Sequence, residues 1–229
     1  MKISDVLLGN TCPGRGIIVG SSGGNAVAVY FITGRSVNSR TRVFERTDDG
    51  ICTKAFDEKK LTDPSLIIYR PVRLFEGRTI ITNGDQTDTI REFLKGGRSF
   101  YDAVKSRTFE PDPPNWTPRI SALIDSSGKY TLSIVKNIGG EVPLHCFYEY
   151  TSPAPGAGHF IRTYMCDGAP LPPFEGEPVP VEITGGLEAF ANSVWNALDE
   201  ANRVALYALE IETASGSRSD IIINKYGSF

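Results

Sequence analysis

Histidine and cysteine are scarce in this chain: His145 and His159, then Cys12, Cys52, Cys146 and Cys166, within 229 residues. The cysteines form no C-x-x-C pair, which argues against a zinc finger and, in a chain this long, against a disulfide framework. His145 and Cys146 are neighbours, so on a strand they point to opposite faces and cannot readily share a metal. All four cysteines are read as structural thiols, and no metal site is expected. Long apolar runs are missing too; none approaches the roughly 20 residues of a membrane helix. The opening at residues 1–8 gives way at once to Gly9, Asn10 and Thr11, too little for a secretion signal, so a cytoplasmic protein is expected. The charge balance of −3 and pI near 5.5 give no general reason to expect nucleic acid or an anionic membrane as partner. An anionic ligand must instead be held by a local cluster of arginines. Finally, there is no GxxxxGK[ST], no GxGxxG after a strand, no GxSxG and no HExxH. Gly14-Arg15-Gly16 enters a strand and Gly23-Gly24 makes a turn, so no cofactor is expected.

What the chain does have is enough apolar sequence, 40%, for a substantial core. Most of it reads as strand. Residues 16–20 and 26–32 flank a Ser-Ser-Gly-Gly-Asn turn as an opening hairpin. Further strands are expected at 66–74, 78–81, 120–124, 130–135, 145–150, 160–164 and 221–224. Helices are expected at 88–94, 100–106 and 187–206; in the last, Phe190, Val194, Trp195, Leu198, Ala201 and Ala205 make a broad core-packing stripe. Proline-rich segments at 110–118 and 169–180 punctuate the chain, the second as an extended connector or lid. Without regular βαβ alternation, the pattern is that of an α+β fold with largely antiparallel sheets.

Four polar segments could carry chemistry. Residues 34–42 alternate Arg35, Arg40 and Arg42 with Ser, Asn and Thr, a set of planar donors and small hydroxyls suited to phosphate or carboxylate. Tyr69 stands beside Arg70 at the end of an apolar run, where an arginine can ease a phenol toward proton donation. Residues 82–89 join a strand to a helix through Asn83-Gly84, with Thr87 or Asp88 available to cap the helix, whose N-terminus could take a polar or anionic ligand. In 109–120, prolines stiffen a loop carrying Glu110, Trp116 and Arg119, where a carboxylate beside a ring can gain a raised pKa. Each segment alone also reads as ordinary surface loop or half-buried strand.

In order, these segments resemble the archaeal-type IMP cyclohydrolase family. The matching pieces are Gly34-Arg35-Ser36 through Asn38-Ser39-Arg40-Thr41, then Ile81-Thr82-Asn83-Gly84 and Thr87-Asp88-Thr89-Ile90, then Thr117-Pro118-Arg119-Ile120-Ser121-Ala122, with Tyr69 and Glu110 falling between them. The resemblance implies one domain over 1–229, built as a four-layer αββα sandwich similar to that of N-terminal-nucleophile hydrolases. Their autocatalytic chemistry is not expected, since bulky Lys2 follows Met1. It implies closure of the formamido-carboxamide imidazole ribotide to inosine 5′-monophosphate with loss of water, with a purine ribotide as partner and a homo-oligomer left open. It also implies catalytic roles for Arg40, Tyr69 and Glu110. Asn83, Asp88 and Thr89 would hold base or ribose, and Arg35, Ser36 and Arg119 the 5′-phosphate. One departure stands out: Asp85-Gln86 replaces the Ser-His expected in the central motif. It leaves open a purine-nucleotide-binding or regulatory protein whose chemistry has decayed.

Overall fold

The structure, a computed structural model, describes residues 1–57 and 68–227, the side chain of Asn38 excepted. After a short helix α1 (Ile3–Leu7), strands β1 (Arg15–Ser22) and β2 (Asn25–Thr33) form the expected hairpin. Its turn uses the positive φ of Gly23 (58°) and Gly24 (90°), a region glycine enters without strain. A four-residue helix α2 (Val37–Arg40) leads to β3 (Arg42–Thr47) and β4 (Gly50–Ala55). Then come β5 (Val72–Phe75), β6 (Arg78–Thr82), helices α3 (Gln86–Lys95) and α4 (Phe100–Lys105), and strands β7 (Arg119–Ile124), β8 (Tyr130–Asn137) and β9 (Pro143–Tyr150). The chain finishes with β10 (Ala157–Arg162), β11 (Val179–Glu182), α5 (Leu187–Ala197), β12 (Arg203–Ile211) and β13 (Arg218–Asn224).

Two antiparallel sheets result, in orders β11-β10-β1-β2-β12-β13 and β3-β4-β5-β6-β7-β8-β9. The two-residue period of a strand decides what each face meets. Ile17, Val19, Ala28, Tyr30 and Ile32 of one sheet pack against Phe44, Ile51, Ile81, Ile120 and Leu132 of the other. The opposite faces are covered by helices. Ile18, Val29, Phe31 and Leu206 meet α1 and α5 through Ile3, Leu7, Phe190 and Val194. Ile80 and Val135 meet α3 and α4 through Ile90, Phe100 and Val104.

The expected helix 187–206 ends at Ala197, and its last residues belong to β12. In β12, Tyr207 and Leu209 face the second sheet while Leu206 and Ala208 face α5, so the strand is apolar on both sides. Such a run carries no two-residue alternation to separate it from a buried helix. The expected strand 66–74 lies partly outside the described residues; its described portion contributes β5. Strands β3 and β4 and the short β11 were not anticipated. The proline-rich stretch 169–180 is a pinned strap: Phe174 is buried in the inter-sheet core, and its N–H donates to Thr163 O at 2.9 Å.

Candidate active site

Strand parity explains which charges enter the sandwich. Arg15 opens β1 on the same side as Ile17 and Val19, and Arg42 opens β3 on the same side as Phe44, so both arginines turn toward the space between the sheets. Arg42 is 2% exposed, and its Nε donates to Ser39 O at 2.9 Å. Arg15 Nε is buried with no hydrogen-bond partner among the described residues, a donor that a ligand oxygen could satisfy. With Glu110, Tyr164, Asp112 and Asn115, these arginines line a cavity of about 290 Å³ whose rim carries Gly34, Arg35, Ser36 and Ser39. Tyr30 and Tyr69 lie buried beside it, hydroxyl to hydroxyl at 2.7 Å. A larger hollow of about 490 Å³ sits between β3, β4 and β13, but its arginine and lysine are already paired, Arg46 with Asp220 and Lys54 with Glu45. The smaller cavity has the chemistry.

Charge in this cavity is tightly arranged. Burial raises the pKa of the Glu110 carboxyl, against the pull of Arg15 and Arg119. Burial alone would lower the Arg15 pKa, yet Glu110, Tyr69 and Tyr164 hold it above its ordinary value, so Arg15 stays charged. Burial and the neighbouring Arg15 lower that of Arg42. Tyr30, by burial and by Tyr69, and Tyr164, by burial, are pushed upward and remain neutral donors. Tyr164 shares a hydrogen bond with Thr117 Oγ1, and Thr117 N donates to Asp112 Oδ1 at 2.7 Å, which anchors the 110–118 loop. Two buried guanidiniums, one protonatable carboxyl and neutral phenols can polarise an oxygen and move protons.

The residues expected from the sequence divide sharply. Glu110, Arg35 and Ser36 are at the cavity, and Tyr69 is one contact behind it. Arg35 is paired with Asp167 at 2.8 Å, and Ser36 caps α2 through a reciprocal bond with Ser39. Arg40 does not line the cavity; its Nε donates to Gly34 O at 2.9 Å and its Nη2 to Asn202 Oδ1, so it braces the loop from behind. Asn83 is fully buried, and all four of its polar positions are occupied: it donates to Glu110 Oε1 (3.0 Å) and Pro118 O (2.9 Å) and accepts from Gln86 Nε2 (2.9 Å) and Ile120 N (2.8 Å). Nothing remains for a ribose. Asp88 is exposed and pairs with Arg73 at 2.6 Å, while Thr89 accepts from Arg107 at 3.3 Å; both lie away from the cavity. Arg119 has the opposite parity to Ile120 and Ala122, which places it on the α3 side of its sheet, bound to Asp85 and Gln86. Neither Thr87 nor Asp88 caps α3: Thr87 Oγ1 donates to Gly84 O at 3.0 Å, and the helix starts without a side-chain cap.

Arg15 was not anticipated, and Arg42 was expected only as one of three arginines on a polar loop; Tyr30 and Tyr164 were not anticipated either. A usable signal was present for the first two. Each is an arginine at the first position of a strand whose next same-face residue is a large apolar one, Ile17 or Phe44.

The chain is similar in sequence to known proteins. Over 155 residues the chain is 28% identical to an IMP cyclohydrolase of Methanosphaera stadtmanae, covering 66% of this chain and 72% of that protein. Over 183 residues it is 27% identical to an IMP cyclohydrolase of Methanopyrus kandleri, covering 73% and 87%. An IMP cyclohydrolase of Methanocella arvoryzae is 29% identical over 128 residues, covering 54% and 63%. The sequence profile described as IMP cyclohydrolase-like protein matches residues 12–217. The chain belongs to the family of IMP cyclohydrolase-like proteins.

Proposed function

We infer that the protein is an IMP cyclohydrolase that closes the formamido-carboxamide imidazole ribotide to inosine 5′-monophosphate in purine biosynthesis. The single observation that carries this reading is the cavity in which Arg15 and Arg42 meet Glu110. In ring closure the carboxamide nitrogen attacks the formyl carbon and forms the new C–N bond. One proton leaves that nitrogen and one reaches the formyl oxygen, giving a carbinolamine. Its hydroxyl then departs as water, taking up a second proton, while the former formamido nitrogen loses its own. The net change is loss of one water, with no oxidation.

Arg15 and Arg42 hold and polarise the formyl oxygen, since two buried guanidiniums act most strongly on charge that develops away from water. Glu110 takes the proton from the attacking nitrogen. Its raised pKa brings it closer to the range in which a carboxyl both accepts and returns protons. Tyr69, bonded to Tyr30 beside Arg15, supplies the proton for the leaving hydroxyl. Arg35 and Ser36 at the rim face the 5′-phosphate. Arg40, assigned to catalysis by the family resemblance, serves here by bracing residues 34–40.

The shared inter-sheet core supports one domain over 1–229, and helices outside two facing sheets support the likeness to N-terminal-nucleophile hydrolases. No helix among the described residues is long and apolar enough to cross a membrane. We read the protein as cytoplasmic, acting on a small ribotide rather than on nucleic acid, with a homo-oligomer open to measurement. An absorbance assay of ring closure by the purified protein tests the activity. A rate above the uncatalysed background is expected; IMP binding with no such rate would refute it.

A further inference from the structure

The pair Asp85-Gln86 is bonded into a chain that ends on Glu110, and every bond in that chain has a fixed direction. Arg119 can only donate, and its Nη1 gives to Asp85 Oδ1 at 2.7 Å and to Gln86 Oε1 at 2.6 Å. With its oxygen committed there, Gln86 must turn its Nε2 the other way, where it donates to Asn83 Oδ1 at 2.9 Å. The Ile120 backbone N–H, also a pure donor, meets the same Asn83 oxygen at 2.8 Å. Asn83 therefore has only its Nδ2 left for Glu110 Oε1, at 3.0 Å, and for the Pro118 carbonyl, a pure acceptor, at 2.9 Å. Neither amide can flip without setting donor against donor or oxygen against oxygen, so the chain has one polarity.

The backbone makes room for this chain at Gly84. A Cβ there would lie 2.7 Å from Gln86 Oε1, 2.8 Å from Arg119 Nη1 and 3.4 Å from Glu110 Oε1. At the far end, Asp85 also accepts from Arg107, so its charge is shared between two arginines.

We propose that Asp85 and Gln86 are positioning residues for Glu110: through Arg119 and Asn83 they hold Oε1 as a permanent acceptor and leave Oε2 as the oxygen that carries the transferable proton. This rests on the cyclohydrolase reading for its purpose, but not for its test. The two ends of the chain act on Glu110 in opposite senses. Asn83 donates to the carboxylate and so favours its charged form. Asp85 neutralises Arg119 and so weakens the cation that would otherwise favour that form. The other groups acting on Glu110 are Arg15 from β1, Arg42 from β3, Asp112 on its own loop and Tyr164 after β10. None of these is altered in the test.

The test is a carboxyl ¹³C NMR titration of protein labelled at glutamate, without substrate, the Glu110 signal being assigned by its loss in Glu110→Gln. Asp85→Asn should move the Glu110 midpoint down by about one unit, and Asn83→Leu should move it up by about as much. If Asn83→Leu does not fold, Asn83→Asp, of nearly the same shape, should give the upward shift. Midpoints that stay put, or move in the same direction in folded variants, overturn the proposal whatever the enzyme turns over. In the ring-closure assay, Gln86→Leu should lower kcat about tenfold with KM within about threefold. Gln86→His, whose neutral ring has one donor and one acceptor nitrogen, should restore most of it. Equal loss in Gln86→Leu and Gln86→His would mean that the polarity of the chain is irrelevant.

Discussion

Residues 34–42 and 82–89 are chemically alike: short, with a glycine, and crowded with hydroxyls, amides and charge. The fold uses them in opposite ways. The first segment ends in Arg42, buried at the cavity, and places Gly34, Arg35, Ser36 and Ser39 around its rim. The second is packed behind Glu110, where Thr82, Thr87, Asn83 and Gln86 spend their hydrogen bonds on one another and on the backbone. A polar side chain binds a ligand with the capacity it has left. Residues 34–42 put Arg35, Ser36, Ser39 and Arg42 on the cavity wall, whereas Asn83 has no capacity left.

The largest expected break of this contrast is Arg42→Ala. Loss of a buried donor that stabilises developing charge should lower kcat about 100- to 1,000-fold, measured by ring closure, with the two-sheet fold retained by circular dichroism. A change confined to KM would make Arg42 a binding residue only. Gly84→Ala comes next. Its methyl would strike Gln86 Oε1 and Arg119 Nη1, so it should cost about 1–3 kcal/mol in denaturant unfolding, a cost no alanine on the open rim should share.

How much of this was legible from sequence follows from the same contrast. Hairpin β1–β2 and strands β6 to β9 were readable because apolar residues alternate there or end at glycine turns. Strand β3 was hidden because Arg42, Glu45 and Arg46 look like the continuation of a basic loop, although Val43 and Phe44 are buried. Glu110 was singled out because prolines mark a stiff loop around it and the family resemblance assigns it a role, and it lines the cavity. Arg15 was passed over, and Arg42 read as a loop residue, because a charge at an inward strand position contradicts the rule that makes strands readable. Whether Asn83 is saturated could not be read at all. Its partners Pro118 and Ile120 offer backbone atoms, and those come within reach only once β6 and β7 pair.

A smaller effect should appear in stability against pH. Because burial raises the folded-state pKa of Glu110 above its unfolded value, its contribution is fully present below the ordinary carboxylate range and is lost as pH rises through the folded pKa. Glu110→Gln removes that loss. Its Tm relative to wild type should be higher at pH 8 than at pH 4, while kcat falls; a Tm difference independent of pH would mean that the carboxyl is not perturbed. The smallest effect is expected at Asp88→Asn and Thr89→Ala, which should leave KM within about twofold because neither side chain reaches the cavity. A tenfold rise in KM would erase the distinction between the two segments.

The most direct test is a crystal structure with IMP bound. The nucleotide should lie in the cavity with Arg15, Arg42 and Glu110 Oε2 on its base and Ser36 at the phosphate end, and with no contact to Asn83, Asp88 or Thr89. A nucleotide held by those three residues at the start of α3, with Arg15 and Arg42 untouched, would contradict the account.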